Sequence, residues 1–285
     1  MTGDLTTLAN VKMWLSLATS TTDALLSALI TRESRFIQSW LNRNIASQSY
    51  TEVRDGIGMG SGRWVLPFED YPVSAVASLT INGSAVAASA DGGIVQPGYG
   101  FDARQMWIAQ TGPAQGFFSQ YGFVRGRRNV KVSYTAGFLV LPDGSTANVG
   151  DGLLPAEVHT IPATPYQVTT NFTWISDNGV RYTGGAALTK VASNPATGQY
   201  SVDSTGTYTF AAGDVGQSVS LSYSYVPSDL EHATISLVNL RLAERTRPGI
   251  KSKTIGNDKE DYSDADMPND VKTILQQYKK VCSFS

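Results

Sequence analysis

The chain has 285 residues, of which 41% are hydrophobic and 16% are charged, and this composition excludes a disordered chain. The length allows one large domain or two of ordinary size, and the many Ser, Thr, Gly and Ala residues favour a β-rich extracellular or virion protein. The formal net charge of −2 gives no overall sign of nucleic-acid binding.

Two helices are predicted at the N-terminus. The first covers Leu5–Leu17 with Thr6 or Thr7 as its cap, and the second begins at Thr22–Asp23 and ends at Asn42–Asn44. The residues expected to face a core are Leu8, Val11, Trp14 and Leu15 in the first helix, and Leu25, Leu26, Leu29, Ile30, Phe36, Ile37, Trp40 and Leu41 in the second. A short polar turn joins the two helices into an αα-hairpin, whose apolar faces need a partner.

From Ile45 a period of two predicts strands. They are expected at Tyr50–Asp55, Arg63–Pro67, Val76–Gly83, Met106–Ala109 and Asn129–Gly137. The first two flank Gly56, Gly58, Gly60 and Gly62, which predicts a hairpin with a flexible tip. These glycines lack the dinucleotide-binding spacing and precede a strand, so a hairpin is favoured over a phosphate loop.

Residues 138 to 225 predict an inserted β domain. Leu139–Pro165, rich in Gly and Pro, is expected to be its entry linker. Strands are expected at Tyr166–Ile175, Val180–Tyr182, Leu188–Val191, Tyr200–Val202, Thr207–Phe210 and Ser218–Tyr225. Their close spacing favours a small immunoglobulin-like sandwich. Core and strand-pair roles are favoured over a sugar-binding platform for its aromatic residues Tyr166, Trp174, Tyr182, Tyr200 and Tyr208.

A third helix is predicted to begin after Pro227, with Ser228 and Asp229 as capping residues, and to stop at Pro248-Gly249. Its apolar stripe comprises Leu230, Ala233, Leu237, Val238, Leu240 and Ala243.

Two blocks of opposite charge follow. The cationic block consists of Arg241, Arg245, Arg247, Lys251 and Lys253, and the acidic cluster consists of Asp258, Glu260, Asp261, Asp264 and Asp266. A short helix follows. Opposite charge blocks suit head-to-tail subunit contacts, although two exposed loops without a partner would look the same.

The sequence supports no catalytic or cofactor site. Cys282, the only cysteine, excludes a disulfide within the chain, and it is far in sequence from His159 and His232, so no metal cluster is predicted. The absence of a G-x-S-x-G motif argues against a hydrolase. The acidic cluster lacks the ligand order of a calcium-binding EF-hand, so a solvated or subunit-bridging loop is favoured. No signal peptide or membrane-spanning run is seen, and we expect a soluble protein made in a cytoplasm.

A basic group consists of Arg125, Arg127, Arg128 and Lys131, on a segment broken by glycine. The favoured interpretation is a polar strand edge that discourages aberrant pairing. The alternative is contact with DNA phosphates or an acidic neighbour. No aromatic residues alternate with these charges, as a single-strand binding surface would require.

Several motifs carry a family resemblance. They are V-P-x-D-L-x-x-A from Val226, R-x-G-I-K-S-x-x-I-G from Arg247, M-P-x-x-V-x-x-x-L-x-x-Y from Met267, and the strand segments Leu66–Gly83 and Gly126–Gly137. In this order they resemble the head–tail connector proteins of tailed bacteriophages, the adaptor or head-completion family. The resemblance covers about residues 5–137 and 226–281, and the chain departs from the family pattern between them.

The resemblance and the predicted insertion together give an α+β fold with three parts. The resemblance implies a helical connector core with a small β region at 1–150 and core helices with a tail at 226–285, and the strand pattern adds an inserted immunoglobulin-like β domain at 151–225. It also implies a non-enzymatic, twelvefold ring in the virion neck, assembled in the host cytoplasm. The ring would bind the portal and a stopper or tail-completion protein, and double-stranded DNA would pass through it without sequence-specific binding. No cofactor, metal or membrane is expected.

By the same resemblance, the basic, acidic and aromatic residues near the C-terminus form the portal or subunit interface. They are Arg241, Arg245, Arg247, Lys251, Lys253, Asp258, Glu260, Asp261, Tyr278, Lys279 and Lys280. The alternative function is a virion decoration protein or a carbohydrate-binding β module with helical anchors.

Overall fold

A computed structural model describes residues 3–56, 65–93, 96–109, 123–145, 149–245, 252–255, 258–261 and 267–280. It has mixed α and β content with several antiparallel sheets, consistent with the predicted α+β class. In the described part of the chain, no helix has both the length and the apolar character needed to cross a membrane.

Four helices are described: α1 Leu8–Trp14, α2 Asp23–Leu41, α3 Ser228–Glu244 and α4 Asn269–Gln276. The predicted cap of α1 is confirmed, since the Thr7 side chain accepts a hydrogen bond from the Asn10 N–H at 3.2 Å. The predicted end of α2 is also confirmed, because Asn42 closes the helix in the left-handed conformation with a φ of 54°.

Two predictions about the helices are wrong. Trp14 was expected to face the core but is 56% exposed, because α1 ends at this residue and its ring lies at the surface, 5.1 Å from the His232 ring. The cap of α3 is Pro227, so the predicted position of the cap is wrong. Asp229 lies in the first turn, where its side chain does accept from a free backbone N–H, that of Leu230, at 2.9 Å. It also accepts hydrogen bonds from Tyr278.

The β region that follows α2 forms two sheets. Its strands are β1 Gln48–Gly56, β2 Val65–Pro67, β3 Val73–Ile81, β4 Ser84–Val86, β5 Gly98–Phe101, β6 Gln105–Ala109 and β7 Gly126–Ala136. One sheet has the order β1-β7-β3-β4 and the other β2-β6-β5. The two sheets share a core that includes Leu66, Leu79, Tyr99, Met106, Val132 and Tyr134.

The predicted hairpin between β1 and β2 is wrong, because the two strands lie in different sheets. β1 pairs with β7 along nearly its whole length, and β2 pairs with β6. Of the four glycines, Gly56 ends β1, and Gly58, Gly60 and Gly62 lie outside the described residues. The tight turn at Asn82-Gly83 is confirmed: both residues have a positive φ and join β3 to β4.

The region from residue 139 to 226 contributes two further sheets. Its strands are β8 Leu139–Val140, β9 Leu153–Leu154, β10 Glu157–Thr160, β11 Gln167–Thr169, β12 Thr173–Tyr182, β13 Thr189–Lys190, β14 Gln199–Val202, β15 Thr207–Phe210 and β16 Ser218–Val226. In one sheet, β16 pairs with β12 on one side and with β10 and β8 on the other, and β8 pairs with β9. The other sheet has the order β11-β15-β14-β13.

Two predictions in this region are wrong. The expected linker, Leu139–Pro165, contains β8, β9 and β10, which pair into the sheet around β16. The expected strand Tyr166–Ile175 is two strands, because the Thr170 hydroxyl bonds the Phe172 carbonyl at 2.9 Å in a turn between β11 and β12. The expected strand Val180–Tyr182 is only the end of β12, which runs without a break from Thr173. The other strands of this region were predicted to within a few residues, and the immunoglobulin-like topology stays a prediction.

One large core joins the helices to both of these sheets. Its members include Leu5, Ile37, Leu41, Val180, Tyr208, Phe210, Leu221, Tyr223, Leu230, Leu237, Val271 and Leu275. The helices therefore pack directly on the β region that was predicted to be an insertion. The last strands, β17 Ser252–Ile255 and β18 Asp258–Asp261, form a hairpin between α3 and α4.

Candidate functional site

The helical layer is organised around α3, which is buried on two sides. Leu230 and Leu237 face the large core together with Val271 and Leu275 of α4. Ile235 and Val238, with Val11, Leu26 and Ile30, form a second core between α1, α2 and α3. Because α3 contacts all three other helices, its position fixes where the charged residues near its C-terminal end are displayed.

Arg241 ties α3 to α2. Its guanidinium lies 3.6 Å from Glu33, whose side chain is only 1% exposed, and it also bonds Glu244 at 2.9 Å. A buried carboxylate requires such a partner, because an unpaired charge in this position would be strongly destabilising. Arg241 was predicted to lie at a portal or subunit interface, and the structure shows that it also holds two helices together.

The segment after α4 is held down by polar contacts. The Tyr278 hydroxyl donates to the Asp229 carboxylate at 2.5 and 2.6 Å, and burial together with this carboxylate raises the pKa of Tyr278. The Lys280 ammonium lies 3.0 Å from Asp70 and 3.3 Å from Glu69. Burial opposes the charge of Lys280, but the two carboxylates outweigh it and raise the pKa of this residue. The C-terminal segment is thereby joined to α3 and to the first β region.

Arg43 lies at the centre of this junction and is only 7% exposed. Its guanidinium donates to the Tyr71 carbonyl and, at 3.3 Å, to the Tyr278 carbonyl. The guanidinium also stacks over the Tyr71 ring at 4.4 Å. Sequence reasoning had used Arg43 only as part of the end of α2. We name the set Arg43, Asp70, Asp229, Tyr278 and Lys280 the C-terminal junction.

A second polar junction joins α1, β12 and α3 through Glu231. Its carboxylate accepts from Thr6 Oγ1 at 2.9 Å, Asn10 Nδ2 at 2.7 Å and Thr173 Oγ1 at 2.7 Å. Each of these bonds joins Glu231 to a residue more than 50 positions earlier in the sequence, so no local pattern could have predicted them. The junction fixes the N-terminal helix against both the β region and the helical layer.

The remaining predicted interface residues that the structure describes lie either on the exposed surface of the helical layer or on the β17–β18 hairpin. Arg245 and Lys279 are exposed, and the Lys279 ammonium lies 4.9 Å from the Trp40 ring centre. The backbone register of the β17–β18 hairpin places Lys253 opposite Glu260 and Ser252 opposite Asp261, with Asp258 at its turn. Arg247, Lys251, Asp264 and Asp266 lie outside the described residues. The two charge blocks therefore meet, in part, across one hairpin of the same chain.

Two of the predicted core tyrosines converge on one buried carboxylate. Tyr200 and Tyr208 are 2% and 0% exposed, and their hydroxyls donate to Asp177 at 2.9 and 3.0 Å. Burial and the Asp177 charge raise the pKa of both tyrosines. Tyr182 bonds the buried Asp214 at 2.7 Å in the same manner. The core interpretation is confirmed for Tyr200 and Tyr208, which are too buried to bind a sugar.

The structure contradicts the edge interpretation for one member of the basic group. Lys131 lies opposite residues of both β1 and β3, so it is not at a strand edge. Arg127 and Arg128 lie on β7 before Val130, where its pairing with β3 begins, and Arg125 comes directly before β7. For these three arginines the edge interpretation stays a prediction.

No metal site is found among the described residues, where no three His, Cys, Asp or Glu side chains lie close enough together to hold an ion. His159 pairs with Glu157 at 2.5 Å, and His232 lies against the Trp14 ring. Cys282 is outside the described residues.

Comparison with known families gives one match. Residues 4–144 match the model of the head completion protein family. The match includes α1, α2 and the first β region, so this part of the chain is similar to head completion proteins. The similarity supports a structural role in the phage head and a place in the virion. A comparison with curated proteins gives no match.

Proposed function

We propose that this protein is a non-enzymatic head–tail connector, which forms a ring beneath the portal and joins the DNA-filled head to the tail. The observation that carries the proposal is the family match over residues 4–144, which covers the N-terminal helix pair and both sheets of the first β region. The twelvefold ring, the portal and stopper contacts, the neck position and the DNA passage come from the sequence resemblance.

The packing of the helical layer supports this role. α3 and α4, which lie beyond the family match, pack on α2 and share its core. The C-terminal junction then joins this layer to Asp70 in the matched region. A subunit that transmits contacts from a head to a tail requires such a rigid connection between its ends.

The exposed positions at the end of this layer are the proposed portal contacts. Arg245 closes α3 and Lys279 follows α4, and both are exposed. Arg241, Tyr278 and Lys280 already have partners within the chain, so we assign them to holding the surface in place. Exposed charges at an interface control the rate and specificity of association.

The alternative, a decoration or carbohydrate-binding module, has weaker support. Tyr200 and Tyr208 are buried. Trp174 is partly buried, and its indole N–H bonds the Tyr208 hydroxyl at 3.3 Å. The aromatic residues that suggested a glycan platform are therefore engaged, in large part, within the β region.

Reversing the two exposed charges tests the portal assignment. We expect the double variant R245E/K279E to lose at least about tenfold in affinity for the cognate portal, because charge reversal turns attraction into repulsion. Biolayer interferometry with immobilised portal measures this. Truncation at Met267 is a poorer test, because Val271 and Leu275 are core residues.

The matched control is R35E/K272E, which reverses two exposed cations elsewhere on α2 and α4. The control should bind the portal as the natural protein does. Equal binding by the two double variants would contradict the assignment of Arg245 and Lys279 to the portal contact.

A further inference from the structure

The basic group at the start of β7 is the charged surface that the structure leaves unexplained. Arg125, Arg127, Arg128 and Lys131 are all exposed. Among the described residues, none of the four side chains has an ion pair or a side-chain hydrogen bond, whereas Lys12, Arg54, Arg104, Lys190, Arg241 and Lys280 all pair with carboxylates. We name the four residues the β7 basic patch.

The backbone that carries the patch is braced. Asn129 accepts from the Gly56 N–H at 2.8 Å and donates to the Val124 carbonyl at 2.8 Å and to the Asn82 side chain at 3.0 Å. One side chain thus ties the patch to the end of β1 and to the β3–β4 turn. The patch is therefore displayed by an ordered part of the sheet.

Two further features fix the same turn. Arg128 has a φ of 50°, in the left-handed region that non-glycine residues rarely adopt, and its N–H donates to Asp55 at 2.6 Å. Gly56 approaches so closely that an added Cβ would lie 1.8 Å from the Val124 carbonyl oxygen. A costly backbone conformation persists only where surrounding contacts impose it, and such conformations are concentrated at functional sites.

In the sequence around the patch, cations outnumber acidic residues, although Asp55 lies beside it and accepts from the Arg128 N–H. The segments that lead out of β1 and into β7, residues 57–64 and 110–122, contain no Asp or Glu and add one further cation, Arg63. The chain as a whole has a net charge of −2, so the net positive charge of this region is opposite in sign to that of the whole chain. Local charge of one sign attracts a polyanion even when the protein as a whole does not.

We infer that the β7 basic patch binds the phosphate backbone of double-stranded DNA. Four exposed cations lie at or just before the start of β7, within about 20 Å of chain, and a duplex of that length has on the order of ten phosphate charges. Exposed Arg and Lys side chains supply the contacts that position a protein on DNA without reading its sequence. Phe123, the described aromatic residue that lies nearest to the patch in sequence, is buried and is not available for base stacking.

This inference rests on the proposed function, because a connector is the component through which DNA would pass. It assigns a DNA-facing surface to the ring, with the start of β7 directed toward the lumen. Four exposed charges give a weak, salt-sensitive contact, which permits DNA to slide.

The test is the salt dependence of duplex binding by the full chain. Fluorescence anisotropy with a labelled duplex of about 20 base pairs should show affinity falling on the order of 100-fold between about 50 and 200 mM salt, as expected for four phosphate contacts. The double variant R127Q/R128Q should lose about half of this salt slope and fall only about tenfold over the same range. Two duplexes of unrelated sequence should bind equally.

The control variant R35Q/K272Q removes the same charge from exposed positions elsewhere and should bind DNA as the natural protein does. Equal losses in the two double variants would overturn the inference, since binding would then follow net charge alone. The competing probe is a poly-glutamate with the same number of negative charges as the duplex. Stronger binding to it than to the duplex at equal salt would also overturn the inference and favour an acidic protein surface.

The portal assay separates this inference from the proposed function. R127Q/R128Q should still bind the portal, because its substitutions lie on the first β region and the proposed portal contact lies on the helical layer. If the natural protein binds the portal but not DNA, the inference fails and the connector function stands. If it binds DNA through the patch but ignores the portal, the DNA surface stands and the connector function fails.

Discussion

Replacing Arg43 by alanine is expected to lower the free energy of unfolding by about 3 kcal/mol and to release the C-terminal segment. The substitution removes the donor to the Tyr71 and Tyr278 carbonyls and leaves a cavity beneath the Tyr71 ring. Buried acceptors that lose their donor cost about 1–3 kcal/mol each, before any gain from relaxation. Urea unfolding measures the loss, and hydrogen exchange in α4 measures the release.

Two controls make the Arg43 result specific. Arg43→Lys keeps the charge but lacks the planar group that reaches two carbonyls, so an intermediate loss is expected. Arg35→Ala changes an exposed residue of the same helix and should stay within about 0.5 kcal/mol of the natural protein. If Arg43→Ala unfolded at the same urea concentration as Arg35→Ala, the C-terminal junction would not hold the segment.

Replacing Asp177 by alanine should have an equally large effect on the β region, about 3–5 kcal/mol. The Asp177 side chain is 5% exposed and accepts hydrogen bonds from the buried hydroxyls of Tyr200 and Tyr208. Its removal leaves both hydroxyls buried without an acceptor. Lys190, which also contacts Asp177, is 51% exposed and adds little. Thermal or urea unfolding measures the loss.

The triple variant D177A/Y200F/Y208F separates the effect of lost hydrogen bonds from the effect of lost packing contacts. Removing the two hydroxyls together with their acceptor should recover part of the lost stability, because neither hydroxyl is then buried without an acceptor. Recovery is expected to be incomplete, since the Trp174 N–H loses the Tyr208 hydroxyl as its acceptor. If the triple variant were no more stable than Asp177→Ala, the loss would come from packing, and the assignment of Asp177 as the acceptor that stabilises these tyrosines would be wrong.

The sequence predicted those parts of the fold whose signals are local. The apolar stripe of α2, the Thr7 cap and the Asn82-Gly83 turn each depend on residues within one or two turns of chain, and all three are confirmed. Most strand positions followed from alternation in the same way.

Pairing and junctions could not be predicted, because they depend on contacts between distant segments. β1 was given the nearest strand as its partner, but β7, more than 70 residues away, pairs with it. Trp14 has the spacing of a core residue, and only the end of α1 explains its exposure. Glu231 and Arg43 gave no sequence signal at all, since their partners lie in segments far away in the sequence.

The charged residues show the same limit. Charge type and spacing identified the cationic block and the basic group, but not their environments. Arg241 is engaged with a buried carboxylate, whereas Arg127 and Arg128 are exposed at the start of β7. Lys131 lies between two strands, and this depends on strand order, which no periodicity contains.

The central claim is that this chain assembles as a ring on the portal, and its solution mass tests this most directly. Light scattering of the full chain, alone and with the cognate portal, should be combined with negative-stain imaging of any assembly. We predict a ring, or a monomer that becomes a ring when the portal is added. A monomer whose mass is unchanged by the portal would contradict the connector function and favour a binding module instead.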